Sequence, residues 1–286
     1  MQTSEPTARL RHILLATDGS KYSAGAQRVA IALARRAKAR LTAMTVAMLV
    51  EDLELVGTHG LRQAQEREAQ TRLDSVASAA TAAGLPCGRM IRYGEEPHFE
   101  IIHAAEEIGA DLIVMGRRGA RGLARLMVGD ATGKVVGEAP CNVLVVPRSA
   151  GMTERRILLA TDGSPYAEAA AAAACAVAKC CDLPVTVVSV KVPKHPEARR
   201  AEADAIVARA VDLLSGQGVA AEGTTAEGEV ADAVARVARS IGADILVIGS
   251  HGRTGWGRLL LGSNTQRIIG KAECAVLVGK SATNRG

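Results

Sequence analysis

The C-terminal half of the chain contains two glycine pairs whose spacing suits the binding of a phosphate group. Gly249-Ser-His-Gly252 is followed by nine residues and then by Gly262-Ser263-Asn-Thr. Glycines let the backbone approach an anion closely, and Ser263 together with the free amides at a helix start can donate hydrogen bonds to it. The alternative is a glycine-rich surface loop whose helix is capped by Ser263. Position, spacing and the serine together favour phosphate.

A Thr-Asp-Gly-Ser segment occurs twice, ending at Ser20 and at Ser164, each time after a short apolar run. One interpretation is a turn followed by a helix, in which glycine supplies the bend and the serine caps the helix. The other is that Asp18 or Asp162 points into a crevice and accepts hydrogen bonds from hydroxyl or amino groups of a ligand. The residues themselves leave both interpretations open.

The N-terminal half carries a variant of the glycine pairs. Gly116, Gly119 and Gly129 keep the spacing, but Asp130 stands where the other half has Ser263. Asp still caps a helix, so the fold should persist. A carboxylate about 4 Å from a phosphate charge costs about 1 kcal/mol in water and about 4 kcal/mol at an effective dielectric of 20, so we expect this site to be weak or empty. Side chains that could offset the repulsion, or pair with Asp130 instead, are Arg117, Arg118, Arg121 and Arg125.

Other patterns in the chain do not point to further chemistry. Residues 129–135 resemble a P-loop, but three residues instead of four separate the glycines, and Val135 stands where Ser or Thr would hold magnesium. His251 has no second histidine or carboxylate at a metal-ligand spacing, so we interpret it as a phosphate-side or structural residue. The six cysteines lack the paired short spacings of a zinc site. We therefore assign neither metal ligands nor catalytic residues.

An internal repeat decides the architecture. Residues 11–22 and 155–166 differ at only two of twelve positions, at an offset of 144. The nine-residue blocks that begin at Ile108 and Ile241 also match, but at an offset of 133. The first copy therefore has 11 extra residues (144 minus 133). We place them in Val50–Leu61 and expect an exposed loop or helix extension there.

Each copy alternates short apolar or β-branched runs with longer helical segments, which favours parallel strands with helices on both faces. The predicted fold class is α/β, as two tandem open five-stranded parallel sheets of Rossmann-like type, joined by the linker Arg148–Glu154. In the second copy the predicted strands are Ile157–Ala160, Val185–Val190, Val219–Thr224, Ile245–Ile248 and Ala275–Val278. The predicted helices are Pro165–Lys179 and Glu197–Leu214, the latter with the apolar positions Ala201, Ala205, Ala208 and Val211.

Composition narrows the choice of partners. Hydrophobic residues make up 48% of the chain but aromatic residues only 2%, so few rings are available to stack on nucleic-acid bases. The net charge of +5 is modest, and we expect no nucleic-acid binding. The longest uncharged apolar stretch, Ala169–Ala178, is shorter than the roughly 20 residues that cross a bilayer, so no membrane insertion is expected. The composition is typical of a cytoplasmic chain with reduced thiols.

The two glycine pairs resemble those of the universal stress protein family, whose ATP-binding members carry the motif G-x2-G-x9-G-[ST]. Gly249, Gly252, Gly262 and Ser263 match every defined position, and the repeats extend the resemblance over nearly the whole chain. The resemblance implies a cytoplasmic, stress-induced protein that binds ATP, with Mg2+ expected beside the phosphates. It implies two domains of this family, 1–148 with a degenerate site and 154–286 with an intact ATP motif.

The same resemblance implies which residues surround the nucleotide. Asp162 and the backbone around Val190 would face adenosine, and the glycine pairs with Arg253 would surround the phosphates. The full set expected at the second site is Ala160, Thr161, Asp162, Val190, Ile248, Gly249, His251, Gly252, Arg253, Gly262, Ser263, Asn264 and Thr265. The weaker first site would use Asp18, Gly116, Gly119 and Gly129.

The leading hypothesis for function is a nucleotide-dependent regulatory or stress-protection protein with slow ATP hydrolysis at most. One alternative is an ATP-using enzyme of the adenine-nucleotide α-hydrolase superfamily, but such enzymes usually have an SGGxDS-type loop after the first strand, where this chain has ATDGS. Another is a structural stress protein that binds no nucleotide. By the same resemblance, the two domains pair through their last strands, Val143–Val146 beside Ala275–Val278. A homodimer of the whole chain is also compatible with the family, although no residue here supports it.

Overall fold

The structure is a computed structural model that describes residues 10–48, 59–118, 128–152, 154–253 and 261–280, with the backbone alone for 59–62. The elements of the first copy are β1 (His12–Ala16), α1 (Ala24–Ala37), β2 (Arg40–Met48), α2 (His59–Ala82), β3 (Cys87–Gly94), α3 (Pro97–Glu107), β4 (Leu112–Gly116), α4 (Asp130–Glu138) and β5 (Asn142–Val146). Those of the second copy are β6 (Ile157–Ala160), α5 (Pro165–Cys181), β7 (Val185–Lys191), α6 (Glu197–Gly216), β8 (Ala221–Glu227), α7 (Val230–Ser240), β9 (Ile245–Gly249), α8 (Ser263–Lys271) and β10 (Ala275–Gly279).

All ten strands form one sheet in the order β3-β2-β1-β4-β5-β10-β9-β6-β7-β8. Every pairing within a copy is parallel, which confirms the predicted five-stranded parallel units. The two units meet where β10 pairs antiparallel with β5, with Leu277 opposite Leu144. The predicted pairing of the two last strands is therefore confirmed.

The helices cover both faces of this sheet and bury two apolar layers. One layer contains the buried positions of α1, α2, α5 and α6, and the other contains those of α3, α4, α7 and α8. Successive residues of β1 show why the central strands are apolar throughout, since Ile13 and Leu15 face the first layer and Leu14 faces the second. Strands buried on both faces need apolar side chains at every position rather than at alternate ones.

Some predicted details differ from the structure. Helix α6 buries Ala203, Ile206, Val207 and Leu214, whereas Ala201, Ala205 and Ala208 are exposed. The predicted face was wrong because the alanines of this helix tolerate either environment, and the larger Ile, Val and Leu decide which side packs. The edge strand β8, with the sequence AEGTTAE, begins and ends later than predicted because its polar residues give no apolar signal.

The predicted insertion Val50–Leu61 falls mostly outside the described residues. Its last three residues belong to the first turn of α2, which has 24 residues where α6 has 20. Within the described part of the chain, no helix is both long enough and apolar enough to cross a membrane.

Each copy places a cation at the end of the last helix of the other copy. Arg117, which follows β4, donates through Nη1 to three carbonyls at the end of α8, those of Ile269 (3.2 Å), Gly270 (2.9 Å) and Ala272 (2.9 Å). Lys280, which follows β10, donates through Nζ to the Gly137 carbonyl in the last turn of α4 (2.7 Å). The last carbonyls of a helix have no intrahelical partner and carry partial negative charge, so both contacts offset part of the cost of burying these cations at the junction.

Helix α1 approaches the end of β5 very closely, and a glycine makes this approach sterically allowed. A Cβ atom on Gly25 would lie 2.1 Å from the Pro147 carbonyl oxygen. At the equivalent place in the second copy the glycine is on the strand, because a Cβ on Gly279 would lie 2.6 Å from the Cα of Ala170 in α5. Both copies therefore need one residue without a side chain at this contact.

We predict that Gly25→Ala lowers the free energy of unfolding by about 1–3 kcal/mol, because the new methyl group overpacks against rigid backbone. Gly133→Ala in α4 is the control, since a Cβ there would meet nothing within 4 Å. It should raise stability by about 0.5–1 kcal/mol, because alanine is the better helix former. Urea unfolding of both variants measures the effect, and equal effects of the two substitutions would contradict the close approach.

The junction also predicts a pH dependence. Burial lowers the pKa of the Lys280 ammonium from its ordinary 10.5 to about 8. Between these pH values the unfolded chain binds more protons than the folded one. The free energy of unfolding therefore increases as pH rises. Wild-type stability relative to Lys280→Met should therefore increase from pH 8 to pH 10.5 and stay constant below pH 8. Urea midpoints of both proteins across this range test it, and parallel curves would be the contrary result.

Candidate functional site

The crevice of the second copy lies at the carboxyl ends of β6 and β9, where strand order reverses. The Thr-Asp-Gly-Ser segment after β6 forms a tight turn in which Gly163 has a φ of 72°. Thr161 Oγ1 accepts from the Gly163 amide (3.2 Å), and Asp162 Oδ1 accepts from the Ser164 amide (3.0 Å). Ser164 caps α5 by accepting from the Ala167 amide (3.3 Å), in agreement with the turn-and-cap interpretation.

The second carboxylate oxygen of Asp162 holds the loop that follows β9. The Arg253 amide donates to Asp162 Oδ2 (3.0 Å), and Arg253 Nε donates to the Asp162 carbonyl (2.7 Å). Gly252 is required here, because a Cβ on it would lie 2.9 Å from Asp162 Oδ2. The Arg253 guanidinium also pairs with Glu202 of α6 (2.7 Å), and this hydrogen bond lowers the pKa of the Glu202 carboxyl. The glycine loop is thus docked on Asp162.

The second glycine pair lies against the first. The Gly262 amide donates to the Ser250 carbonyl (3.1 Å), and a Cβ on Gly262 would lie 3.3 Å from the Cα of His251. Thr265 Oγ1 donates to the Gly249 carbonyl (3.0 Å). The motif residues are therefore adjacent in space as well as regularly spaced in sequence.

The helix caps at this site differ from the prediction. Gly262 is the N-cap of α8 and Gly129 is the N-cap of α4, so Ser263 and Asp130 are the first helical residues and make no capping bond. Glycine can occupy an N-cap position with little loss of stability, which frees the next side chain. In the first copy the cap of α1 is Ser23 rather than Ser20, whose hydroxyl accepts from the Tyr22 amide (3.2 Å).

The remaining predicted residues divide by exposure. Ser263 and Asn264 are exposed at the start of α8, whereas Ala160 and Val190 are half-buried at the ends of β6 and β7. Ile248 is only 3% exposed, so its side chain belongs to the core. Thr265 is likewise buried, and its hydroxyl is used within the loop. The polar groups at the crevice therefore come from the turn after β6, the loop after β9 and the first turn of α8.

Sequence reasoning missed three neighbours of the site. Glu202 pairs with Arg253, and Ile206 lies 3.1 Å from where a Cβ on Gly163 would be. Tyr166 places its ring 5.0 Å from that of His251. The correct apolar face of α6 would have directed attention to Ile206 and to Glu202 one turn earlier, but nothing in the sequence indicated the tyrosine.

The first copy keeps the architecture of this crevice but not its chemistry. Thr132 Oγ1 donates to the Gly116 carbonyl (3.1 Å), as the equivalent threonine does in the second copy. Asp18 Oδ1 accepts from the Ser20 amide (3.0 Å). A Cβ on Gly19 would lie 2.5 Å from the side chain of Arg72. The equivalent glycine of the second copy, Gly163, faces Ile206 instead, so a cation replaces an apolar side chain here.

Asp130 is highly exposed, and Lys134 Nζ lies 3.4 Å from its carboxylate. The same lysine lies 3.3 Å from Glu96, so it is shared between two carboxylates. Of the arginines considered as partners for Asp130, Arg117 contacts the end of α8 instead. Gly119, Arg121 and Arg125 lie outside the described residues.

Comparison with known proteins identifies the family. The model of the universal stress protein family matches the chain twice, over residues 9–147 and 154–280. The chain belongs to the universal stress protein family. A crystal structure of a universal stress protein from Archaeoglobus fulgidus DSM 4304 superposes with a TM-score of 0.77 at 21% identity, over 95% of this chain and 99% of that one. Such an identity shows a shared fold for this universal stress protein.

Curated relatives match one copy at a time. The protein named Universal stress protein in QAH/OAS sulfhydrylase 3'region, from Thermus aquaticus, is 37% identical over 134 residues, which are 47% of this chain and 96% of the relative. Universal stress protein YxiE of Bacillus subtilis is 32% identical over 144 residues, which are 47% of this chain and 97% of the relative. This universal stress protein is therefore about twice as long as these relatives, in agreement with its internal repeat.

The docking of the loop on Asp162 predicts a selective effect of Asp162→Asn. The amide oxygen can still accept from Ser164, but the NH2 group cannot accept from the Arg253 amide. Loss of one hydrogen bond worth about 1 kcal/mol should accelerate hydrogen exchange of the Arg253 amide about fivefold. Exchange of the Ser164 amide should stay unchanged, and Asp18→Asn in the first copy should affect neither amide. Exchange measured by NMR tests this, and an unchanged Arg253 amide would contradict the docking.

Proposed function

We propose that this universal stress protein binds ATP, mainly in the second copy, and acts in stress response or regulation. Mg2+ accompanies the nucleotide in this proposal, and the location is cytoplasmic. The observation that carries it is the convergence of Asp162, the loop after β9 and the start of α8 at one crevice. This crevice lies at the reversal of strand order, where ligands bind in open parallel sheets.

The chemistry of the described residues supports a nucleotide. Glycine occupies positions 252 and 262, where a Cβ would meet Asp162 and the loop at 2.9–3.3 Å. The exposed Ser263 begins α8, so its hydroxyl and the first-turn amides can donate to phosphate oxygens. Asp162 Oδ2 is an acceptor suited to a ligand hydroxyl or amino group. The Arg253 guanidinium can bind a phosphate in place of Glu202, because a phosphate and a carboxylate both offer two oxygens that accept hydrogen bonds.

The proposed role is regulatory rather than catalytic. Asp162 Oδ2 can accept from a ligand beside the Arg253 amide, because a carboxylate oxygen has two lone pairs, and the ligand then lies against the loop after β9. A phosphate that takes Arg253 from Glu202 alters the surface around α6 and α8 that is offered to a partner. Asp162 supports adenosine recognition as well as proton transfer, so the proposal includes no catalytic residue. ATP turnover, if measured, should be slow.

We predict that ATP binds with a stoichiometry of about one per chain and that Ser263→Asp weakens it. Charge repulsion costs about 1 to 4 kcal/mol, and the lost hydrogen bond adds roughly 1 kcal/mol. Fold stability should persist, because Gly262 and not Ser263 is the helix cap. Calorimetry at fixed magnesium measures ATP binding. A repeat without magnesium separates two effects of the new carboxylate, its repulsion of the phosphates and its coordination of the metal.

Asp130→Ser is the matched variant in the first copy. It removes the carboxylate from the weaker site, and its effect on the second site should be negligible. A wild-type stoichiometry of two, or unchanged binding by Ser263→Asp, would refute the assignment to the second copy. Absence of ATP binding at millimolar concentration would favour a structural stress protein, and rapid turnover with a co-substrate would favour the enzyme hypothesis.

A further inference from the structure

A cleft of about 1020 Å³ separates the two copies at the carboxyl ends of β4 and β5. It is distinct from the crevice around Asp162, because its walls come from the start of α1, the end of β5 and the end of α8. Tyr22 and Ser149 contribute hydroxyl groups to these walls. The charged residues that line the cleft are Arg28, Arg117, Arg118, Arg148, Lys271 and Glu273.

Two of these arginines are held in place by carbonyl groups. Arg28 Nη2 donates to the carbonyls of Arg148 (2.7 Å) and Ala150 (3.1 Å). Arg117 donates to the carbonyls at the end of α8. Carbonyl partners orient a guanidinium but do not neutralise its full charge. These two side chains are therefore positioned cations.

The described residues supply little negative charge to this cleft. Within them, no carboxylate forms an ion pair with Arg28, Arg117 or Arg148. Glu273 is the one acidic residue of the described lining, and it pairs with Arg239 (3.3 Å). Lys271 is ion-paired with Asp232, which is not part of the lining. Burial, together with the neighbouring charge of Arg118, lowers the pKa of the Arg117 guanidinium. Like charges gathered in a confined space favour the binding of an anion.

The second copy does not repeat this charge. At the offsets of the internal repeat, Ala172 replaces Arg28, while Ser250 and His251 replace Arg117 and Arg118. The fold of a single copy therefore does not require these arginines. Guanidinium groups match phosphate oxygens in pairs, and this cleft is as large as the upper end of the roughly 300–1,000 Å³ range of pockets that bury a drug-sized ligand.

We propose that this cleft is a second anion site, which binds a small ligand carrying two or more linked phosphate groups. The ligand contacts Arg28 and Arg148 of the first copy and Lys271 of the second, which exchanges Asp232 for a phosphate, so its binding ties the two copies together. The chemistry is shared by inorganic oligophosphate and by the phosphate chain of a nucleotide. The site is independent of the ATP site proposed above.

Inorganic tripolyphosphate is the probe, titrated by calorimetry into full-length protein at low salt and at raised salt. The Ser263→Asp background weakens the proposed ATP site, and one stronger binding event should remain there and weaken with salt. Arg148→Glu is the test variant, because its side chain is exposed and its carbonyl, not its guanidinium, receives Arg28. It should weaken tripolyphosphate binding about tenfold or more, whereas Arg148→Lys should retain most of it.

Arg209→Glu on the exposed side of α6 is the matched control, with the same change in net charge. It should leave tripolyphosphate binding unchanged. Equal weakening of tripolyphosphate binding by Arg209→Glu would mean unspecific attraction. Unchanged binding by Arg148→Glu would place the anion elsewhere. Either result overturns the proposal, and so does the absence of tripolyphosphate binding. Competition by ATP in the Ser263→Asp background identifies a nucleotide as the source of the phosphates, and its absence identifies inorganic oligophosphate. Loss of the ATP site alone leaves this proposal intact.

Discussion

The antiparallel pairing of β5 with β10 is the contact on which the remaining structure depends. Each strand would otherwise be an exposed edge of apolar residues, and such an edge invites pairing with other chains. Joined together, Leu144 and Leu277 are each only 1% exposed. The outer edges of the continuous sheet are β3 and β8, where residues such as Arg89 and Glu222 are exposed. The sheet thus buries its apolar edges at its centre and presents polar ones to solvent.

Antiparallel joining has a geometric consequence for the functional sites. The carboxyl ends of β4 and β5 come to lie beside the amino ends of β9 and β10, and therefore beside the end of α8. Carbonyl groups at a helix end attract cations, and Arg117 occupies that place. The same residue stands inside the glycine motif of the first copy. Because its guanidinium faces the junction, it is not available to balance a carboxylate such as Asp130 at the start of α4.

The sequence allowed the architecture to be predicted because the repeat and the apolar strands are strong signals. The pairing of the last strands and the α/β order followed from them and from family resemblance. Details that depend on packing between elements could not be predicted. Gly262 rather than Ser263 caps α8, since either residue is an acceptable cap and the surrounding loop decides. The hydrogen bond from Arg253 to Asp162 joins residues 91 positions apart, and no local sequence pattern predicts it.

The division of labour between the copies follows from which loop carries the junction. In the first copy the residue after the first motif glycine is Arg117, which contacts the other copy. In the second copy it is Ser250, which is buried and uses its carbonyl to hold Gly262. In the described part of that loop, the hydrogen bonds of Arg253 and Gly262 stay within their own copy. Under the proposed function, the loop that binds the ligand is therefore not the loop that carries Arg117 at the junction, and duplication places the two roles in different copies.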